Sequence, residues 1–223
     1  MARSLPSSLE TALAQDRARA LTLNLDSVSR ETWARLDHLV DLLLRQQQTM
    51  NLISASTVAH LWTRHIADSL QLLALAPAAR VWADLGSGAG FPGLVIACAL
   101  ADTTGAAVHL VESTKKKASF LADAARELKL PVTVHAERIE DFSATNRVSF
   151  DVVTARALAP LPRLLDYAIP LLKRGAIGLF PKGQDVAGEL TEASKCWTIE
   201  AELIDSKTDP RGRILRVARA KRL

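Results

Sequence analysis

Glycine is missing from the first 85 of the 223 residues, and the chain as a whole has two cysteines, one tyrosine and only 4% aromatic residues. Cys98 and Cys196 lie far apart, with no CxxC and no Cys/His spacing. A disulfide framework and a zinc module are therefore excluded, and a reducing, cytoplasmic setting is expected. Long apolar runs are lacking too. The stretch 94–101 is far shorter than the roughly 20 residues needed to cross a bilayer, and 1–10 has no apolar signal core, so neither membrane insertion nor export is expected. There are no repeats and no low-complexity tracts. What is present is ordinary: 48% hydrophobic and 23% charged residues. At this length about 70% of the unfolded surface can be buried, enough for a core without staples.

The distribution of glycine divides the chain. Residues 5–25, 30–48 and 56–75 are rich in Ala and Leu; in the second, Trp33, Leu36, Leu39, Val40, Leu43 and Leu44 recur every three or four positions, as on the buried stripe of a helix. From Gly86 onward the texture changes to short β-rich runs (81–85, 107–112, 132–136, 150–155, 177–181, 196–204, 214–220) separated by helical stretches (91–100, 114–130, 161–172, 185–195). Alternation of this kind predicts an α/β fold with a doubly wound, mostly parallel sheet. The last two strands have no helix between them and should form an antiparallel end. The boundary expected near 77–80 gives an N-terminal helical cap, 1–79, and an α/β unit, 80–223.

The formal charge of +4 is unevenly spread: residues 205–223 hold seven basic and two acidic side chains. A localised basic terminus suits a polyanionic partner, although a solvated end would look the same.

The chemistry concentrates in VWADLGSGAGFPG, 81–93, where an apolar strand runs through Asp84 into Gly86, Gly88 and Gly90, followed by Phe91 and Pro92. Glycines there permit a sharp strand-to-helix turn and let a nucleotide-like cofactor approach the backbone. Gly88, Gly90 and Gly93 also satisfy the dinucleotide pattern GxGxxG, so an NAD-linked oxidoreductase is one reading. Glu112, ending the next strand, could bridge two ribose hydroxyls of either NAD or S-adenosylmethionine (SAM). Asp84 ahead of the glycines, where a methionine amino group would sit, and Glu137, Glu140 and Asp141 after the third strand, where an adenine edge would lie, favour SAM.

Taken with NLISAS (51–56), RHIADS (64–69), AERIEDF (136–142), FDVVTARA (150–157) and FPKGQ (180–184), the glycine loop resembles the RsmG family, also known as glucose-inhibited division protein B. The resemblance implies a class I, Rossmann-like SAM-dependent methyltransferase that modifies guanine N7 in the 530 loop of bacterial 16S ribosomal RNA. It also implies cofactor positions at Gly86, Phe91, Ile139, Glu140 and Arg156, the last reaching cofactor or RNA. Lys182, at the ligand-bearing end of the sheet, and Arg211 and Arg213 in the basic tail are the further candidates for the RNA. His65 and Asp68 share a helix face and are read as docking a helix beneath the cofactor loop. Lys115, Lys116 and Lys117 are read as a solvated face.

No metal cluster and no nucleophile–base pair is evident, and none is needed: guanine N7 has a free lone pair and no proton to remove, so orientation dominates. No catalytic base is assigned. The expected partner is 16S ribosomal RNA or the small ribosomal subunit, met by a monomer. A noncatalytic RNA-binding or ribosome-assembly factor is the alternative outside enzymes.

Overall fold

The computed structural model describes residues 6–23, 25 and 28–223. The first part of the N-terminal segment read above as lacking a signal core lies outside them.

Seven strands form one sheet in the order β3-β2-β1-β4-β5-β7-β6. β1 (Val81–Leu85), β2 (Ala107–Val111), β3 (Val132–His135), β4 (Val152–Thr154) and β5 (Ile177–Lys182) are parallel to their neighbours within the set. β7 (Arg213–Arg222) runs antiparallel to both β5 and β6 (Trp197–Asp205), the antiparallel end expected. Strand order reverses between β1 and β4, and it is outside the carboxyl ends of the strands flanking such a switch point that ligands bind in open α/β sheets.

Alternation along each strand feeds two cores. Trp82, Val108, Leu110, Val152 and Leu179 face one side with α4 (Gly93–Leu100) and α5 (Lys115–Glu127). Ala83, Leu85, Val111, Val153 and Phe180 face the other with α7 (Leu161–Leu172). α6 (Ile139–Thr145), a short helix absent from the sequence reading, and α8 (Val186–Ser194) complete that second layer.

The cap helices add to the first core. α1 (Ser7–Thr22) is pinned by buried Asp16, whose carboxylate accepts from Thr63 N (3.0 Å) and Thr63 Oγ1 (2.7 Å). α2 (Arg30–Gln47) starts at Ser29, whose hydroxyl accepts from Thr32 N, and buries Leu36, Leu39, Leu43 and Leu44. The single helix expected over 56–75 is instead a 3-10 turn (Ala55–His60), a π-helical stretch (Trp62–Ala67) and α3 (Asp68–Ala74). Hydrophobic periodicity cannot separate these windings in segments of six or seven residues, which are too short to fix a period. Leu36, Leu43, Leu61, Ile66 and Leu72 join Trp82, Leu94 and Ile96 in one continuous core.

Candidate active site

The glycine loop leaves β1 at the switch point. Gly86 sits at φ +68°, and a Cβ there would lie 2.6 Å from Leu158 Cδ1. Gly93 opens α4 so close to the sheet that a Cβ would overlap Leu110 and would stand 2.7 Å from Asp84 Oδ2. Pro92 precedes that helix through a cis peptide bond from Phe91.

Above the loop is a cavity of about 500 Å³, the size of a nucleoside-bearing ligand, lined by Gly86, Ser87, Gly88, Phe91, Glu112, Ile139, Glu140 and Arg156 among others. Glu112 is buried and held by backbone: Oε2 accepts from Gly88 N (2.9 Å) and Oε1 from Thr114 N (2.7 Å). Each oxygen keeps acceptor capacity, so the carboxylate is fixed in place for a pair of hydroxyls. Ile139 and Val111 supply apolar wall. Glu140, exposed at the rim, pairs with Arg163 at 3.1 Å.

Residues ahead of β1 complete the lining of the cavity. Gln47 clamps the NLIS turn, accepting from Leu52 N and Ile53 N and donating to Ile53 O, which holds Leu52, Ile53 and Ser54 over it. His65, on the π-helical turn, stacks on Phe91 with ring centroids 4.9 Å apart. Its Nδ1 lies 2.7 Å from Arg156 Nη2; a guanidinium only donates, so Nδ1 accepts and the neutral ring carries its proton on Nε2, 3.1 Å from Thr57 Oγ1. Burial, reinforced by Arg156 and Arg64, pushes the imidazole down to about 3. Arg156 also donates to Arg64 O, stands 3.8 Å from Asp68 and lies over the Phe91 ring.

Arg156, Ala157 and Leu158 line a second basin of about 770 Å³ on their other side. Ala157 is at φ +51°, a left-handed conformation costly for a residue with a Cβ, which turns the chain so that its neighbours form a wall between the two spaces. The basin continues over Lys182, Asp185, Glu189, Asp209 and Arg213.

Residues 32–210 match the model of the GidB family, described as rRNA small subunit methyltransferase G. The chain belongs to this family. A ribosomal RNA small subunit methyltransferase G of Bradyrhizobium sp. (strain BTAi1) is 55% identical over 92% of this chain and 91% of its own, and one from Caulobacter vibrioides is 52% identical over 82% of each. Among solved structures, an SAH-bound methyltransferase of Podospora anserina superposes with a TM-score of 0.61 at 14% identity, covering 97% of this chain and 98% of its own. An O-methyltransferase from Bacillus cereus in complex with SAH gives 0.59 at 15% identity, covering 95% and 100%. These two show the fold, the class I methyltransferase sheet. Family membership makes this a SAM-dependent enzyme acting on small-subunit rRNA, and so decides between the two cofactors that the glycines left open and against the NAD-linked and noncatalytic readings.

Of the positions expected around the methyltransferase cofactor, Gly86, Gly88, Phe91, Glu112, Ile139, Glu140 and Arg156 line the first cavity, whereas Asp84, Glu137 and Asp141 do not. Asp84 is fully buried on the sheet face that carries α4, where Oδ2 accepts from Gly93 N at 3.1 Å and Oδ1 has no partner. Strand alternation puts it beneath the loop and not on the wall. Burial pushes its carboxyl up to about 7, opposed by the nearby Ser87 hydroxyl, which itself donates to the Asp84 main-chain oxygen, and by the Gly93 amide. An orphaned buried acid under the loop fits a cationic ligand above it. Of the acidic group after β3, only Glu140 reaches the cavity; Glu137 faces His135 at 3.5 Å. The sequence reading missed Leu158, Tyr167 and Lys117 as cavity residues. The LAP run after Arg156 and the single tyrosine were the signals available.

The RNA candidates differ in how they are held. Lys182 is not a free cation: its side chain is 9% exposed and its Nζ donates to Glu189 Oε2 at 2.7 Å, a partner seven residues away that only the β5-to-α8 turn brings near. Arg213 is bound to Asp205 at 3.1 Å and donates to the Pro210 and Gly212 carbonyls, whereas the Arg211 side chain is exposed. The basic tail is also not one patch. Arg213 and Arg222 end a ten-residue strand, about 30 Å apart, and only the Arg213 end adjoins the basin. Its acidic partners come from β6, as in Arg216 with Glu202 at 3.7 Å, and from α7, where Asp166 meets Arg222 at 2.9 Å.

Proposed function

We propose that this chain transfers the methyl group of SAM to N7 of a guanine in the 530 loop of 16S ribosomal RNA, acting in the cytoplasm as a monomer, with SAM in the first cavity and the target base in the second basin. The observation that carries this reading is the shared wall: Arg156 to Leu158 face both spaces at the switch point of the sheet. A base in the basin would stand next to a cofactor in the cavity, at the three residues that both spaces share.

Glu112 would accept from the two ribose hydroxyls, Ile139 would pack on adenine with Glu140 beside its edge, and Gly86, Gly88 and Phe91 would shape the methionine end. SAM, when bound, supplies a methyl group on a sulfonium, which the N7 lone pair can take without loss of a proton. The protein's part is orientation, so the absence of an assigned base agrees with the chemistry. Arg156, fixed by His65 and Asp68, is set between the two reactants. Arg211 and Arg213, at the basin's end of β7, would meet phosphates. The segment 1–79 acts as a cap, contributing Leu52, Ile53, Ser54, Thr57 and His65 to the cofactor cavity.

Radiolabelled methyl transfer from SAM to isolated small subunits, with mapping of the modified base, tests the reading. Label on a single guanine, released as 7-methylguanine, is expected; no transfer, or transfer to another base or another atom, overturns it.

A further inference from the structure

N7 is common to guanine and adenine, so a methyltransferase directed at guanine N7 must select its base by O6 and the Watson–Crick edge beyond it. Guanine presents there an acceptor, O6, beside two donors, N1–H and N2–H; adenine presents a donor beside an acceptor. The complement of guanine is a donor next to an oxygen pair that only accepts, which is what an ammonium against a carboxylate provides.

The basin holds one such pair with capacity to spare. Glu189 Oε2 accepts from Leu161 N (2.8 Å) and from Lys182 Nζ (2.7 Å), while Oε1 has no partner among the described residues. Lys182 Nζ makes one further, long contact, 3.4 Å to Ala159 O. The carboxylate side chain is 26% exposed, and both residues line the basin across from the Arg156 wall. The other carboxylates there are less suited: Asp68 is occupied by Thr208 and Gln71, Asp209 by Arg64 and the Arg211 amide, and Asp185 has no ion pair among the described residues and so offers no ammonium beside it.

We infer that Glu189 and Lys182 read the target base: Glu189 accepts from N1–H and N2–H at Oε1, the oxygen whose lone pairs are open, and Lys182 donates to O6. This rests on the proposed function, and it turns a residue expected to meet phosphate into half of a base-specific contact. The contact also strengthens during the reaction. As methyl reaches N7 the ring becomes cationic and N1–H more acidic, so its bond to the carboxylate tightens in the transition state, where extra binding raises kcat.

The test is a cycle of enzyme against base. Small subunits are reconstituted around 16S rRNA carrying either guanosine or inosine, which lacks only the N2 amino group, at the target position, and methylated by wild type and by Glu189→Gln. Removing a hydrogen bond to a charged group costs roughly ten- to a hundredfold. Wild type should lose that on inosine; Glu189→Gln should lose at least as much on guanosine, yet fall less than twofold further on inosine. Penalties that multiply, or a variant as fast as wild type on guanosine, overturn the inference. Because Glu189 also caps the α7 amide, the melting temperature and SAM affinity of each variant are measured alongside; Glu189→Asp, which keeps the charge and withdraws it by one methylene, replaces Glu189→Gln in the cycle if the latter does not fold. Wild type failing to methylate guanosine-bearing subunits at all would overturn the functional reading, a result separate from these.

Discussion

Three residues beneath or beside the cofactor cavity do work that their burial makes measurable. Gly86 is required twice over, by its left-handed backbone and by the 2.6 Å that would separate its Cβ from Leu158. Gly86→Val should abolish SAM binding in calorimetry while the variant stays folded by circular dichroism, because a branched side chain both resists that φ and fills the cradle. Asp84 has a carboxyl raised to about 7 by burial. A cationic ligand favours its ionised form, so SAM must displace a proton below that pH, and affinity should fall by up to about tenfold per unit as pH drops under 7. In Asp84→Asn the pH dependence should disappear and binding should be weak throughout; isothermal titration over the range decides. For His65 the sign is opposite. Its pKa is lowered to about 3, so between there and 6.5 the unfolded chain holds more protons than the folded one, and stability is lost as pH falls. His65→Asn keeps an acceptor near the Nδ1 position but cannot charge; relative to wild type it should gain about 2 kcal/mol between pH 7.5 and 5 in urea melts. Unlike these pKa values, the importance of the glycines could be read in the sequence. A glycine pattern after a strand announces a close approach, whereas the protonation of His65 depends on Arg156, 91 residues away.

At the scale of elements, the α/β half was legible because its strands are short apolar runs with turn residues between them, and the parallel order follows from the helices that must fit between. The cap was legible as helical and as apolar on one side, but not in its winding: the stretch expected as one helix changes through 3-10, π and α geometry, and the π turn is what carries His65 to Arg156. α6 was missed because seven residues, Ile139–Thr145, give too few turns for a periodic signal. One contact between elements was also invisible: Gln71 of α3 reaches the turn between β6 and β7, where its Oε1 accepts from Lys207 N at 2.8 Å, while Asp68 accepts from Thr208 Oγ1 at 2.8 Å. Residues more than 130 apart are thereby tied, and the turn that ends in Arg211 and Arg213 is fastened to the helix that supports Arg156. Gln71→Leu would remove the acceptor of the Lys207 amide and the amide that holds the Ser206 hydroxyl, to which Thr208 N donates, so the Lys207 and Thr208 amides should exchange hydrogen at least tenfold faster, with SAM affinity within about twofold of wild type. Unchanged protection at those amides would mean that the turn is held by its own hydrogen bonds.

Over the whole molecule, charge was the least legible property, since composition gives an excess without giving its geometry. Counted along the sequence, the last nineteen residues look like a single basic arm; folded, they form a turn and one strand, β7, paired between β5 and β6, and Glu202 and Asp205 on β6 face Arg216 and Arg213. Because β7 is antiparallel to β5, its beginning lies at the carboxyl ends of the parallel strands, beside the basin, and its end with Arg219 and Lys221 lies at the opposite edge. An RNA whose base enters the basin must pass over the first end; about 30 Å of strand separates it from the second. Each phosphate neutralised by a cation steepens the salt dependence of binding, by about 0.7–0.9 in log affinity per log unit of salt. Arg211→Ala with Arg213→Ala should therefore reduce the slope by between one and two such contacts and weaken binding of the small subunit, whereas Arg219→Ala with Lys221→Ala should leave the slope within half a contact of wild type. Filter binding across a salt series, with SAM titrations on the same proteins as a control for folding, measures both pairs. If the second pair flattens the slope and the first does not, the RNA approaches from the far edge of the sheet, and the second basin is not where its base is received.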